Sequence, residues 1–270
     1  MTRTLTLAAH SLRRARWLIV GVGCLLGGFQ ILATLLAGTF QASNLFGSIA
    51  GLVPGYVRDV FGSSMLAVLS FQGIVCLGFL HPVAIGGLLA VVIVLATEPA
   101  AEVERRFVDL VLARPVARHT VVTRTIVVTL AAAAALLGLM TLGTWLGLLW
   151  FAPAGAPWPP ASQIAALVAG LGALAVCWSG IALAIAARAR RRSVAGSVVG
   201  LLALATFLLD YVARVWAPAR PVARLSPFRY YNPTEVLLGR ALNPAHLWVL
   251  AAVGLLGFGI AYLVFGRRDV

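Results

Sequence analysis

From Met65 to Thr97 the chain runs for 33 residues without one Asp, Glu, Lys or Arg, and comparable uncharged stretches recur along its length. About 20 apolar residues suffice to cross the ~30 Å hydrocarbon layer of a bilayer at 1.5 Å rise per residue. Of the 270 residues, 61% are hydrophobic and 11% charged, whereas a soluble domain carries roughly a quarter charged residues. The charges are crowded into short segments between the apolar runs. A soluble globule, a disordered chain and a coiled coil are excluded on composition. The expected fold class is an all-α, polytopic membrane protein, a single domain over residues 1–270.

Six spans are expected, at about 17–38, 75–97, 126–151, 164–187, 194–211 and 246–265. Arg13, Arg14 and Arg16 precede the first like a signal-peptide n-region, but the apolar stretch is too long for an h-region, so the span is read as uncleaved. Residues 3–16 are expected to form a short surface helix with Leu5 and Leu12 turned inward. The run 65–97 is long for one straight span and short for two. His81-Pro82 lies in its middle, where proline removes a backbone donor and bends a helix. The favoured reading is one span at 75–97 preceded by a helix or re-entrant segment over 56–74; two spans are the alternative. His81 is expected to bond a carbonyl freed by the kink.

Arginine sets the direction. All 21 basic residues are Arg. Fifteen fall in the N-terminal tail, the loops after spans two and four, and the C-terminal tail; six fall on the other side. The richer side is expected to be cytoplasmic, with both termini there. The chain is accordingly expected in the cell inner (cytoplasmic) membrane. The net charge of +13 is what such loops produce; no basic stretch is interleaved with aromatics as nucleic-acid stacking needs, so no nucleic-acid partner is expected. The external loop, about 212–245, holds five of the six remaining arginines with Trp216, Phe228, Tyr230 and Tyr231. Two readings stay open for it: an interfacial loop seated among lipid headgroups, or a lid over an exit path.

Candidates for chemistry are few. Without lysine there is no GxxxxGK[ST] phosphate loop and no Schiff-base lysine. The eight carboxylates, Asp59, Glu98, Glu102, Glu104, Asp109, Asp210, Glu235 and Asp269, all fall outside the middles of the spans, where a proton relay would place one. Asp210 and Arg214 are spaced for an i,i+4 ion pair. No metal-ligand spacing or nucleophile motif occurs, and Cys24, Cys76 and Cys177 lie scattered in apolar runs, as small hydrophobes do. No enzymatic activity of the chain itself is expected. Glycine pairs four apart, Gly23/Gly27, Gly143/Gly147 and Gly196/Gly200, are candidates for close helix contact, one role being a dimer face.

The informative stretch follows span two: EPAAEVERRFVDLVLARPVARHTVVTR, Glu98 to Arg124. Pro99 suits a first helical turn, and Glu98, Glu102 and Glu104 complement a helix N-terminus. Val103, Phe107, Leu110 and Val111 recur at helical spacing, so an amphipathic helix over about 99–113, parallel to the membrane and ending before Pro115, is expected. It either seals the loop or docks in the groove of a cytoplasmic partner.

The acidic-then-basic helix followed by Leu110 to Arg118 (LVLARPVAR) resembles the coupling segment of ABC-2-type ATP-binding-cassette permeases. Leu225 to Pro233 (LSPFRYYNP) resembles the stretch before the family's last span, and Ala261-Tyr262 through Phe265, then Arg267-Arg268-Asp269, its ending. One departure is Arg106-Phe107, where family members often have Gly-Thr. The resemblance spans nearly the whole chain. It implies an export permease that binds no cofactor of its own: ATP and Mg are bound by a separate ATP-binding subunit, and two permease copies, here a homodimer, share the path. It implies coupling contacts from Phe107, Leu110 and Val111, with Pro115 ending the helix and Glu102, Glu104, Arg106 and Arg118 matching charge. Phe228, Tyr230, Tyr231 and Asn232 become external exit residues. A gradient-driven secondary transporter is the alternative, though it would show inverted repeats and a buried ion site.

Overall fold

The computed structural model describes residues 2–43, 70–104 and 118–267. Among them there are helices and turns and no strand. In chain order the helices are α1 (Thr2–Ala42), α2 (Phe71–Val75), α3 (Leu77–Leu80), α4 (Pro82–Ala96), α5 (Glu98–Glu104), α6 (Arg118–Phe151), α7 (Ala161–Arg188), α8 (Arg192–Val215), α9 (Arg220–Ala223), α10 (Pro233–Leu237) and α11 (Pro244–Gly266), with 3-10 turns at Ala217–Ala219 and Pro227–Tyr230. Among the described residues, six helices are long and apolar enough to cross a membrane: Thr6–Ala42, Pro82–Glu104, His119–Phe151, Ala161–Arg188, Arg192–Val215 and Pro244–Gly266. The chain is a multi-pass membrane protein.

Two expectations about the first half are corrected. The separate surface helix over 3–16 is absent, because α1 is one continuous helix of 41 residues. No proline or glycine occurs before Gly21, and arginine and leucine are good helix formers, so nothing stops the helix at the edge of its apolar stretch. Leu12 packs against the core, as expected. In the charge-free run, residues 70–97 form two short helices and one long one, and among the described residues only the long one is of spanning length. The long helix begins at Pro82, not at 75. Residues 56–69 of the expected preceding segment lie outside the described residues.

The break at His81-Pro82 is built differently from expectation. Pro82 sits at the first helical position of α4, and His81 caps it: the Val83 N–H donates to His81 Nδ1 at 3.3 Å. The imidazole therefore accepts from a backbone amide rather than bonding a freed carbonyl. With Val83 N–H so engaged, the Phe79 carbonyl is left available, and the Tyr231 hydroxyl donates to it at 2.6 Å.

The long helices alternate in direction and close into two seams. In the first, α1 runs parallel to α6: an added Cβ at Gly143 would overlap the Gly27 backbone, and one at Gly38 the Phe151 carbonyl. In the second, α7 runs parallel to α11: an added Cβ at Gly180 would overlap Gly254, and one at Gly257 would overlap Gly180. Two of the three sequence-predicted glycine pairs, Gly23/Gly27 and Gly143/Gly147, are thus consumed within the chain rather than offered as a dimer face. Small residues let these backbones approach, so van der Waals contact and weak Cα–H bonds hold helices that lipid would otherwise solvate equally well. Buried between the seams are Leu88, Leu136, Met140, Leu171, Leu174 and Trp178. Among the buried polar side chains, the Gln30 amide is fully buried against Gly78, and neither of its polar atoms has a partner among the described residues.

Candidate functional site: a groove clamped at both ends

α8 stands apart from the two seams. Its outer face, with Val194, Val198, Leu201, Leu208 and Tyr211, is exposed, and only Ala195, Val199, Asp210 and Ala213 along the helix are buried. It runs beside the span formed by α4 and α5 without closing on it. The space between them is a groove of about 890 Å³ reaching from Glu104 and Arg192 at one end to Pro82, Phe207 and Phe228 at the other. Fifteen residues separate Arg192 from Phe207, so the groove is about 22 Å long at 1.5 Å per residue. Gly86, Leu89, Ile93, Gly196, Gly200 and Leu204 line its middle, with Thr97, Ser193 and Ser197 as polar groups toward the Arg192 end. Added Cβ atoms at Gly86, Gly196 and Gly200 would meet nothing within 4 Å.

Charge closes the first end. Arg192 Nη1 lies 3.2 Å from Glu98 Oε2, and its Nη2 donates to the Val94 carbonyl at 2.9 Å. The Arg192 backbone N–H donates to Glu104 Oε2 at 3.0 Å. Glu104 therefore supplies, from another helix, the carboxylate that the orphan amides and positive end of α8 call for. Beside this, Arg124 Nη2 donates to Glu102 Oε1 at 2.6 Å, tying α5 to α6. Those side chains are only 13% and 15% exposed. Thr123 and Tyr262 join α6 to α11 nearby through their hydroxyls at 2.8 Å.

Aromatic packing and one hydroxyl close the second end. Phe228 meets Phe207 edge-on at 5.4 Å between centroids and lies 5.8 Å from Trp178. Ser226, fully buried, donates to the Thr206 carbonyl at 2.8 Å and accepts from the Phe228 N–H at 3.2 Å. Asp210 and Arg214 form the expected i,i+4 pair at 2.9 Å. Tyr231 is buried on the Phe79 carbonyl, and burial pushes its phenol above the ordinary tyrosine range. Tyr230 is half-buried; its hydroxyl donates to the Arg224 carbonyl at 3.0 Å, and its ring meets His246.

The sequence-predicted residues divide sharply. Glu102 and Glu104 bond to Arg124 and Arg192 within the chain. Phe228 and Tyr231 point inward and join the second end of the groove to the His81-Pro82 break. Asn232 precedes α10, half-buried, without a side-chain capping bond. Arg106, Phe107, Leu110, Val111 and Pro115 lie outside the described residues, as does the expected helix beyond Glu104; Arg118 opens α6. Up to Glu104 the segment is helical and continues the span, with Thr97 as the one interruption between α4 and α5.

Three features escaped sequence reasoning. Arg192 was one of a cluster of four arginines, with nothing to single it out. Ser226 sits in a stretch noted for its aromatics and prolines. Gly254 and Gly257 are three apart, a spacing that a search for pairs four apart passes over. Comparison with known proteins adds no relative: no protein-family model and no curated protein matches the chain.

Proposed function

We propose that the chain is the membrane-spanning permease subunit of an ABC-2-type transporter. It works as a homodimer with a separate ATP-binding subunit and moves an apolar or amphipathic cargo outward. One observation carries the reading: the carboxylates that close the inner end of the groove, Glu98 and Glu104, belong to the helix leading directly into residues 105–117, where the resemblance to coupling segments is densest. A displacement delivered there has a short route to the groove.

In this mechanism, the partner ATPase engages Phe107, Leu110 and Val111, with Arg106, Pro115 and Arg118 at the margins of the contact. ATP and Mg stay on that subunit. Its closure pulls α5, and the pull divides: Glu102–Arg124 carries it to α6, and Glu98–Arg192 with Glu104 carries it to α8. The seams are packed backbone to backbone and move as blocks. α8, held by its ends, is the element that yields, so the groove widens. A second copy supplies the facing wall, and cargo leaves past Phe228, Tyr230, Tyr231 and Asn232. The apolar lining with hydroxyls at one end suits a lipid-like or amphipathic molecule. The arginine-rich end faces the cytoplasm by the charge rule.

Co-purification in mild detergent with a stoichiometric ATPase subunit is the first requirement. In proteoliposomes, Phe107→Asp and Leu110→Asp are expected to stop cargo movement while ATP hydrolysis continues. Movement of cargo by the permease alone, without nucleotide, overturns the proposal in favour of a gradient-driven carrier.

A further inference from the structure

At the arginine-rich end a second cleft of about 460 Å³, sharing no lining residue with the groove, opens between the ends of α7 and α11. Its wall is Ile260, Leu263 and Val264, and its rim is Arg188 and Arg267. Residues 260, 263, 264 and 267 follow i, i+3, i+4, i+7 spacing and share one helix face. Seven residues of rise put the Arg267 backbone about 10 Å above that of Ile260. The cleft is therefore an apolar wall two turns deep beneath two guanidiniums.

At the same end, Arg124 and Arg192 pair with carboxylates; Arg188 and Arg267 make no ion pair among the described residues. Ile260 and Leu263 are 46% and 63% exposed. We propose that this cleft binds an anionic phospholipid, its phosphate between Arg188 and Arg267 and its upper acyl methylenes against Ile260, Leu263 and Val264.

The chemistry selects that occupant. Guanidinium matches phosphate oxygens in a bidentate fork, and basic clefts between spanning helices suit anionic headgroups. A free phosphate leaves the apolar wall uncovered. A zwitterionic lipid brings an ammonium toward two guanidiniums. The negative ends of α7 and α11 oppose the anion, at about half a charge each, against two full positive charges. At α7 the opposition is reduced, since the Ile185 and Ala186 carbonyls already accept the Ala189 N–H. The inference does not rest on the transport reading.

The test is thermal unfolding and lipid titration of the full chain in mild detergent, using dioleoylphosphatidylglycerol, dioleoylphosphatidylcholine and inorganic phosphate as separate probes. Phosphatidylglycerol is expected to raise Tm saturably, and the other two are not. Removing both charges, Arg188→Gln with Arg267→Gln, is expected to weaken phosphatidylglycerol binding about thirty-fold, the effect of two basic groups at a membrane surface. Lysine at both positions keeps the charge without the fork and is expected to restore part of it, which separates loss of binding from loss of folding. Arg190→Gln with Arg191→Gln, equal in charge change, leaves binding intact. Equal stabilisation by phosphatidylcholine, equal stabilisation by phosphate, or an equal loss in the Arg190/Arg191 variant would each overturn the proposal.

Discussion

Gly143/Gly147 and Gly196/Gly200 have the same spacing and opposite fates. The first pair is pressed onto α1, where an added methyl would strike Gly27 and Thr34; the second faces open space along the groove. Gly180 on α7 behaves like the first pair, locked against Gly254 and Gly257. A glycine pair thus marks a place where a wide side chain is absent, and tertiary placement decides whether a helix or a void fills it. In this molecule the filled sites make two rigid blocks. The unfilled one leaves a helix clamped at its ends and loose along its middle.

Substitutions sharpen that contrast. The largest effect is expected at Gly180→Leu, where four side-chain carbons must enter space held by the Gly254 backbone. Destabilisation of about 3 kcal/mol or more is expected, since overpacking a close seam forces the backbones apart. Loss of the folded peak in detergent size-exclusion, with a lowered Tm, is the readout, and a normal Tm would deny that the seam is rigid. Arg192→Ala comes next. It removes the bonds to Glu98 and the Val94 carbonyl but keeps the N–H to Glu104, so a loss of about 1 kcal/mol is expected for groups about one third exposed. Cargo movement should fall several-fold while the ATPase subunit still co-purifies; full transport would show that the inner clamp transmits nothing. Gly200→Leu should move stability least, within about 0.5 kcal/mol, as substitutions away from packed features do. Its groove is narrowed all the same, so reduced transport at unchanged Tm is expected. A collapse in Tm there would mean that the groove is a seam after all.

Much of the scaffold was legible because charge is so unevenly spread. Uncharged runs bounded by Arg13-Arg14, Arg188 and Arg267 mark six spanning helices and place the last three to within a few residues. The exceptions have local causes. α1 runs back to Thr2 because amphipathic, arginine-bearing sequence makes good helix whether or not lipid surrounds it. Span two starts at Pro82 because His81 can serve as a cap, which hydropathy does not report. The candidate site was less legible. Phe228 and Tyr231 were marked by their motif, but their targets, Phe207, Trp178 and the Phe79 carbonyl, are distant in sequence and meet only through the crossing of helices. Glu98, Glu104 and Arg192 are likewise brought together from opposite ends of two spans. Charge counting placed them on one side and stopped there.

The parallel pairing of the seams has a consequence for how the chain is made. Gly27 must wait for Gly143, and Gly180 for Gly254, so at ordinary synthesis rates of about 5–20 residues per second the first partner dwells in the bilayer for roughly 4–20 s before its mate emerges. During biogenesis these glycine faces are solvated by lipid tails or held by the insertion machinery. A nascent chain arrested before Pro244 has its Gly180 face still bare, a handle that membrane quality control could read.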